Sequence, residues 1–232
     1  GGILEVQISF DLKWQTHTNK NPKPEGGLVA GLATLIINPN INSGTDFLNN
    51  KSLNPPQKAK LSGFDLRIES LIGGQQKYLG AATCLLAPYV NSYRRLMPGD
   101  SAPINLEWSR DNRSAGLRVP NSPPEARRVE NRIAGMDTNP YLAIAASLAT
   151  GYLGMINQTQ CREEFSGDAH SADYGLPRGL LESLIDFDEC DELKELLGRP
   201  FCDVYKALKE HEFNEYMMVV SPWEREHLLL TV

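Results

Sequence analysis

Eight arginines and not one lysine lie within positions 91–132: Arg94, Arg95, Arg110, Arg113, Arg118, Arg127, Arg128 and Arg132. A planar guanidinium presents its donors as a fixed fork that grips phosphate and carboxylate oxygens two at a time, whereas an ammonium acts as a hydrated point charge. The exclusive use of arginine therefore points to an anionic ligand with many oxygens. A solvated face of surface ion pairs is the competing reading. Residues 117–120 and 128–132 alternate as they would on strands, so Arg128, Glu130 and Arg132 share one face. Two guanidiniums flanking one carboxylate can hold a metal-bound polyphosphate, Glu130 serving the cation and the arginines the oxygens. A structural Arg–Glu–Arg triad has the same spacing.

The elements that must position these residues are legible in outline. Leu4, Val6, Ile8 and Phe10 alternate with Glu5, Gln7, Ser9 and Asp11, the period of a half-buried strand. Residues 14–31 are rich in Asn, Pro and Gly and read as loop, and residues 54–63 as a turn segment. Residues 66–86 are predicted to form one helix, closed by Pro88, with Leu71, Ile72, Leu79, Cys84, Leu85 and Leu86 inside. Asn139-Pro140 starts a further helix, Asn as cap and Pro in the first turn, and the small residues after it permit close packing. Residues 162–177 form a polar loop whose His170 carries no assigned role. Helices follow over 191–197, closed by Gly198, and 200–219, the second with Phe201, Val204, Tyr205 and Leu208 at helical spacing. Ser221-Pro222 breaks it, and the apolar residues 228–232 require a covering surface, on another subunit or on their own domain.

At 232 residues the chain can bury a core as one domain, or one domain with a helical extension; the division expected is 1–178 and 179–232. A formal charge of −6 and a pI near 5.3 disfavour general nucleic-acid or membrane-surface binding. The charge is divided, since residues 180–232 hold thirteen acids against five bases. Cys84, Cys161, Cys190 and Cys202 form no CxxC pair, which suits free thiols in a reducing cytoplasm better than a disulfide frame or zinc site. There is no signal-peptide pattern and no apolar run of membrane-spanning length. A start on Gly1-Gly2 without Met suggests a fragment, a processed chain or a partial one.

Four motifs, NSYRRLMPG, DNRSAGLRVP, RRVENR and NPYLAIAASLATGYLG, occur in the order and spacing of the glutamine synthetase family, including its γ-glutamyl-polyamine synthetase branch. The chain resembles the carboxy-terminal catalytic domain of that family most clearly over 72–154, and more loosely through 220–224. The resemblance implies an α+β fold, an antiparallel sheet flanked by helices. It also implies an ATP-dependent ligase that phosphorylates the γ-carboxylate of glutamate and then lets ammonia or an amine displace phosphate. ATP and Mg2+ or Mn2+ are the implied cofactors, with active sites between the subunits of a homo-oligomer in the cytoplasm.

Residue by residue, the resemblance places Asn91 and Ser92 on the nucleotide side and Arg95 on the substrate carboxylate. Arg113 and Arg118 match arginines that hold ATP phosphates, Arg113 also stabilising the transferred phosphoryl group in catalysis. Arg128 matches another phosphate arginine, Glu130 a metal glutamate and Arg132 a second glutamate-binding arginine. Gly2-Ile3-Leu4-Glu5 looks like a strand that contributes a metal glutamate, Glu5. Residues 33–39 look like a strand ending in Lys-Pro, with Asn38 in the lysine position. Tyr174-Gly175-Leu176-Pro177 faintly resembles a Tyr-x-Leu-Pro site of adenylylation.

The departures lie within 12–62 and on the flap. The Gly-Ser-Gly-x-His-x-His loop, bracketed here by Ser43-Gly44 and Ser52-Leu53, contains no histidine, and Asp46 is either an oxygen ligand in compensation or a turn or cap residue. Ser101 stands where ammonium-using members carry a glutamate, which favours an amine other than ammonia. The amino-terminal β-grasp domain of the family is not represented, so the chain alone is expected to be weak or inactive. A non-catalytic scaffold or assembly protein of the same family is the alternative.

Overall fold

Gly73-Gly74 would weaken an isolated helix by about 1 kcal/mol per glycine relative to alanine, yet the pair sits inside α1 (Leu66–Tyr78). The reason is the neighbouring helix α3 (Pro140–Ile156), which crosses at backbone distance. A Cβ built on Gly74 would lie 2.4 Å from Gly154 Cα and 2.4 Å from Thr150 O, and one on Gly154 would lie 2.2 Å from Ser70 O. The small residues expected to allow close packing are therefore required for it. The Asn139 side chain caps α3 by accepting from Tyr141 N at 2.9 Å, with Pro140 in the first turn.

The computed structural model describes residues 7–11, 34–38, 66–98, 102–123 and 128–229, with side chains from residue 68 onward. Glu5, Asp46, Ser101 and the segment expected to replace the histidine loop lie outside the described residues. The single helix expected over 66–86 is two, α1 and α2 (Thr83–Leu86). Gly80 falls in the turn between them, where Thr83 Oγ1 donates to Leu79 O at 2.9 Å and takes over a carbonyl the helix no longer satisfies. All six apolar positions expected inside are buried.

Five described strands, β1 (Gln7–Asp11), β2 (Thr34–Asn38), β3 (Trp108–Arg110), β4 (Leu117–Val119) and β5 (Val129–Asn131), form a sheet in the order β1-β2-β5-β4-β3. The pairs β1–β2, β2–β5 and β5–β4 are antiparallel, as expected. The pair β3–β4 is parallel, with Ser109 opposite Arg118, so the sheet is mixed rather than antiparallel. Asp111, at φ 49°, turns the chain immediately after β3, and residues 111–116 carry it back to the start of β4. Helix α3 is tied to the sheet through Asn131 on β5, whose Nδ2 donates to Ser147 Oγ at 2.9 Å.

Helices α4 (Leu180–Glu189), α5 (Asp191–Leu197), α6 (Arg199–Met217) and α7 (Pro222–His227) complete the chain. The sequence reading passed over α4, although Leu180, Leu184 and Phe187 have helical spacing and are buried. In α6 the inward residues are Cys202, Tyr205 and Lys209. Of the stripe read from the sequence only Tyr205 is inside, while Val204 is 70% exposed. Two stripes one residue apart are both periodic, and the buried one is chosen by its neighbours: Phe187 edge-on to Tyr205, and the Tyr89 ring 4.3 Å from Lys209 Nζ. Helix α7 carries a Ser221/Glu224 capping box and buries no residue. All four cysteines are free, and burial pushes the Cys84 thiol up to about 12. Among the described residues no helix is long and apolar enough to cross a membrane.

Candidate active site

Arg118 on β4 stands directly opposite Glu130 on β5, a register that puts both side chains on one face of the sheet. Arg118 Nη1 donates to Glu130 Oε2 at 2.8 Å, and Arg128 Nη2 lies 3.6 Å from Glu130 Oε1. The buried carboxylate is thus bracketed on both oxygens. The other edge of Arg118, Nη2, is held by the Asp111 carboxylate. Burial alone would lower the proton affinity of Arg118, but its bonds to Glu130 and Asp111 carry it above the ordinary value.

Arg132 follows β5, its backbone N donating to Gly116 O at 2.9 Å. The residue is 8% exposed, and its guanidinium makes one long bond, Nη1 to Ala115 O at 3.4 Å. Burial pulls its pKa down to about 10; the Glu130 charge opposes this, while Arg118 and Arg113 reinforce it. Arg113 is exposed and has no hydrogen bond or ion pair among the described residues. Three guanidiniums, of Arg118, Arg128 and Arg132, therefore gather around one buried carboxylate, with Arg113 close enough to act on the charge of Arg132. An oxyanion entering there gains charge-assisted bonds and relieves like-charge crowding.

The loop between β3 and β4 is fixed from the far side. Asn112 Nδ2 donates to Gly167 O at 2.8 Å, Ser114 Oγ to Asn112 Oδ1 at 2.7 Å and Asn105 Nδ2 to Ser114 O at 3.1 Å. The polar loop expected over 162–177 is thus a brace for the site's backbone. Its His170 is held through its backbone N by Asp168 Oδ1 at 3.0 Å.

Arg95 is buried beside this wall, its Nη2 donating to the carbonyl of Ile133, the residue after Arg132. Gly135 makes room for it: a Cβ there would lie 3.2 Å from Arg95 Nη2 and 2.3 Å from Asp137 Oδ1. Asp137 in turn accepts from Ser92 Oγ, and Ser92 Oγ accepts from Tyr89 N at 3.0 Å. Ser92 therefore staples the 3-10 turn Val90–Arg94, while Asn91 is exposed on it. The structure brings Arg118, Arg128 and Glu130 into contact, sets Arg132 and Arg113 within electrostatic reach of one another, and ties Arg95 to the same segment through the carbonyl of Ile133. Sequence reasoning gave no role to Asp111, which opens the quoted motif DNRSAGLRVP, and missed Asp137, two residues before another motif; no spacing rule links them to Arg118 or Ser92.

A divalent cation would find one buried carboxylate in this wall, Glu130, with both oxygens already facing arginines. Among the described residues no group of three His, Cys, Asp or Glu side chains could hold a metal. The described residues do not fit a cation by themselves.

A family model of the glutamine synthetase catalytic domain matches residues 50–228. The chain belongs to the glutamine synthetase family. Among its curated relatives in that family, the γ-glutamylputrescine synthetase PuuA of Escherichia coli is 37% identical over 164 residues, covering 70% of this chain and 34% of the relative. A glutamine synthetase of Archaeoglobus fulgidus is 40% identical over 164 residues, covering 66% and 33%. The γ-glutamylethanolamide synthetase GlnA4 of Streptomyces coelicolor is 33% identical over 154 residues, covering 66% and 33%. The chain thus spans about a third of the length of these glutamine synthetase-family relatives. A solved structure described as apo GmaS without ligand superposes with a TM-score of 0.67 at 24% identity, over 86% of this chain and 44% of that one, a likeness of fold.

Proposed function

We propose that this chain carries the anion-holding wall of an ATP-dependent ligase that joins the γ-carboxylate of glutamate to ammonia or an amine through γ-glutamyl phosphate. Arg118 and Arg128 hold phosphate oxygens of ATP, with Asn91 and Ser92 on the nucleotide side. Arg113, exposed and without an ion pair among the described residues, meets the transferred phosphoryl group. Arg95 and Arg132 hold the carboxylates of glutamate. A γ-carboxylate oxygen attacks the γ-phosphorus and ADP leaves; the amine then attacks the acyl carbon, phosphate departs, and the amine gives up a proton. Such chemistry asks the protein mainly for positioning and charge stabilisation, which guanidiniums provide without proton transfer of their own. Glu130 serves as the counter-charge that lets three arginines stand together.

The observation that supports this reading best is Arg132, a buried cation whose charge is under-compensated among the described residues. A wall built only for stability would pair it or replace it. The names of two relatives, a γ-glutamylputrescine and a γ-glutamylethanolamide synthetase, support including amines beside ammonia. Outward apolar residues on α6 and α7, such as Val204 and Trp223, support assembly into a homo-oligomer with sites between subunits. They equally suit a scaffold of the same family that has given up catalysis.

Calorimetric titration of ATP, with and without magnesium, separates these readings. The ligase reading expects binding that Arg118→Ala abolishes. Absence of binding to the unaltered chain leaves the scaffold.

A further inference from the structure

We propose that Asp111 is a displaceable occupant of the phosphate seat on Arg118: an entering triphosphate exchanges with a carboxylate already in place. This rests on the reading of the arginine wall as a phosphate site.

The two carboxylates on Arg118 differ in everything that governs exchange. The Glu130 side chain is 9% exposed, lies on β5 inside the sheet and is shared with Arg128; it cannot leave without stranding buried charge. The Asp111 side chain is 60% exposed, lies on a turn and touches the outer edge of the same guanidinium. Its backbone is not free to move. Asp111 N donates to Val119 O at 2.9 Å, its φ of 49° is left-handed, and the residues after it are tied to Gly167 and Asn105. The carboxylate can therefore depart only by rotating about its own side-chain bonds into water, a small motion for an exposed group.

In the empty site Asp111 compensates Arg118 and holds its plane. In the filled site its charge opposes the ligand. No covalent bond changes in the exchange; one charge-assisted pair replaces another. Asp111 thereby sets nucleotide affinity below what the arginines alone would give, which favours release of ADP after turnover.

The test is calorimetric binding of inorganic triphosphate, and then ATP, to the chain and to Asp111→Asn, with Asp111→Ala as a second variant. Asparagine accepts a left-handed backbone, so the turn is retained. Exposed ion pairs bear on equilibria by a factor of up to about five, so triphosphate affinity should rise up to about fivefold in both variants. The ligand-free melting temperature should fall at the same time. Unchanged or weaker affinity in the variants, with binding to the parent intact, overturns the exchange while leaving the phosphate site standing. Failure of parent and variants alike to bind overturns the phosphate reading, and this inference with it.

Discussion

The helical tail and the arginine wall are both dense in charge, but they arrange it in opposite ways. In the tail, cations meet carboxylates in the open: Arg199 lies 2.7 Å from Glu195 and 3.0 Å from Asp191, and Lys206 lies 2.6 Å from Asp188. In the wall, Arg118, Arg128 and Arg132 crowd one buried carboxylate, and Arg113, which acts on the charge of Arg132, has no ion pair among the described residues. Exposed pairs of the first kind contribute at most about 1 kcal/mol each. Buried cations in excess are costly unless a ligand completes them. The ratio of partners and the depth of burial, more than the amount of charge, distinguish a binding site from a solvated surface.

Removing the central carboxylate should sharpen that contrast most. Glu130→Ala takes from Arg118 and Arg128 their shared buried carboxylate and is expected to cost about 3–5 kcal/mol in denaturant unfolding; a loss under about 1 kcal/mol would mean the wall stands without it. Next in size, Arg118→Ala should weaken triphosphate binding at least about tenfold, or about 1.4 kcal/mol. Arg132→Met should separate stability from binding. It relieves an under-compensated buried charge, raising the melting temperature by about 2–4 °C, while glutamate binding is lost. A lower melting temperature would show Arg132 to be a structural residue.

The smallest effect belongs to the tail and depends on pH. Bonds from Lys206 and then Lys194 hold the Asp188 carboxyl below its ordinary value of 3.8. The folded pKa is depressed, so the contribution is present above pH 3.8 and lost as pH falls through the lower folded value. Melting curves of Asp188→Asn should lie slightly below the parent at neutral pH and converge with it in acid. Curves that diverge in acid would contradict the assignment.

Part of the wall was legible because strand alternation is strict: Arg128, Glu130 and Arg132 could be assigned to one face from spacing alone, while the pairing of β4 with β5 adds Arg118. The Asn139 cap and the buried positions of α1 and α2 were legible for similar local reasons. Asp111 was not, since its partner lies across a parallel pair that no local pattern announces. Nor was the inward face of α6, where Phe201, Val204 and Leu208 formed as good a stripe as Cys202, Tyr205 and Lys209, and only the packing of Phe187 and Tyr89 decides between them. The break after Tyr78 was hidden for a third reason. Gly73-Gly74 is the weaker local sequence, but the crossing with α3 stabilises helix there and leaves Gly80 to turn the chain.

That crossing also bears on how this protein can vary. Gly154 sits against Gly74, and on the same helix Ser147 takes the hydrogen bond of Asn131, the residue between Glu130 and Arg132. One added methyl at Gly154 must shift α3, and Asn131 is pulled with it. Judged by its chemistry such an allele is silent, with no charge altered and no ligand group touched. Its phenotype would nonetheless be that of an active-site mutant, and selection would guard a glycine in the helical layer as closely as an arginine in the sheet.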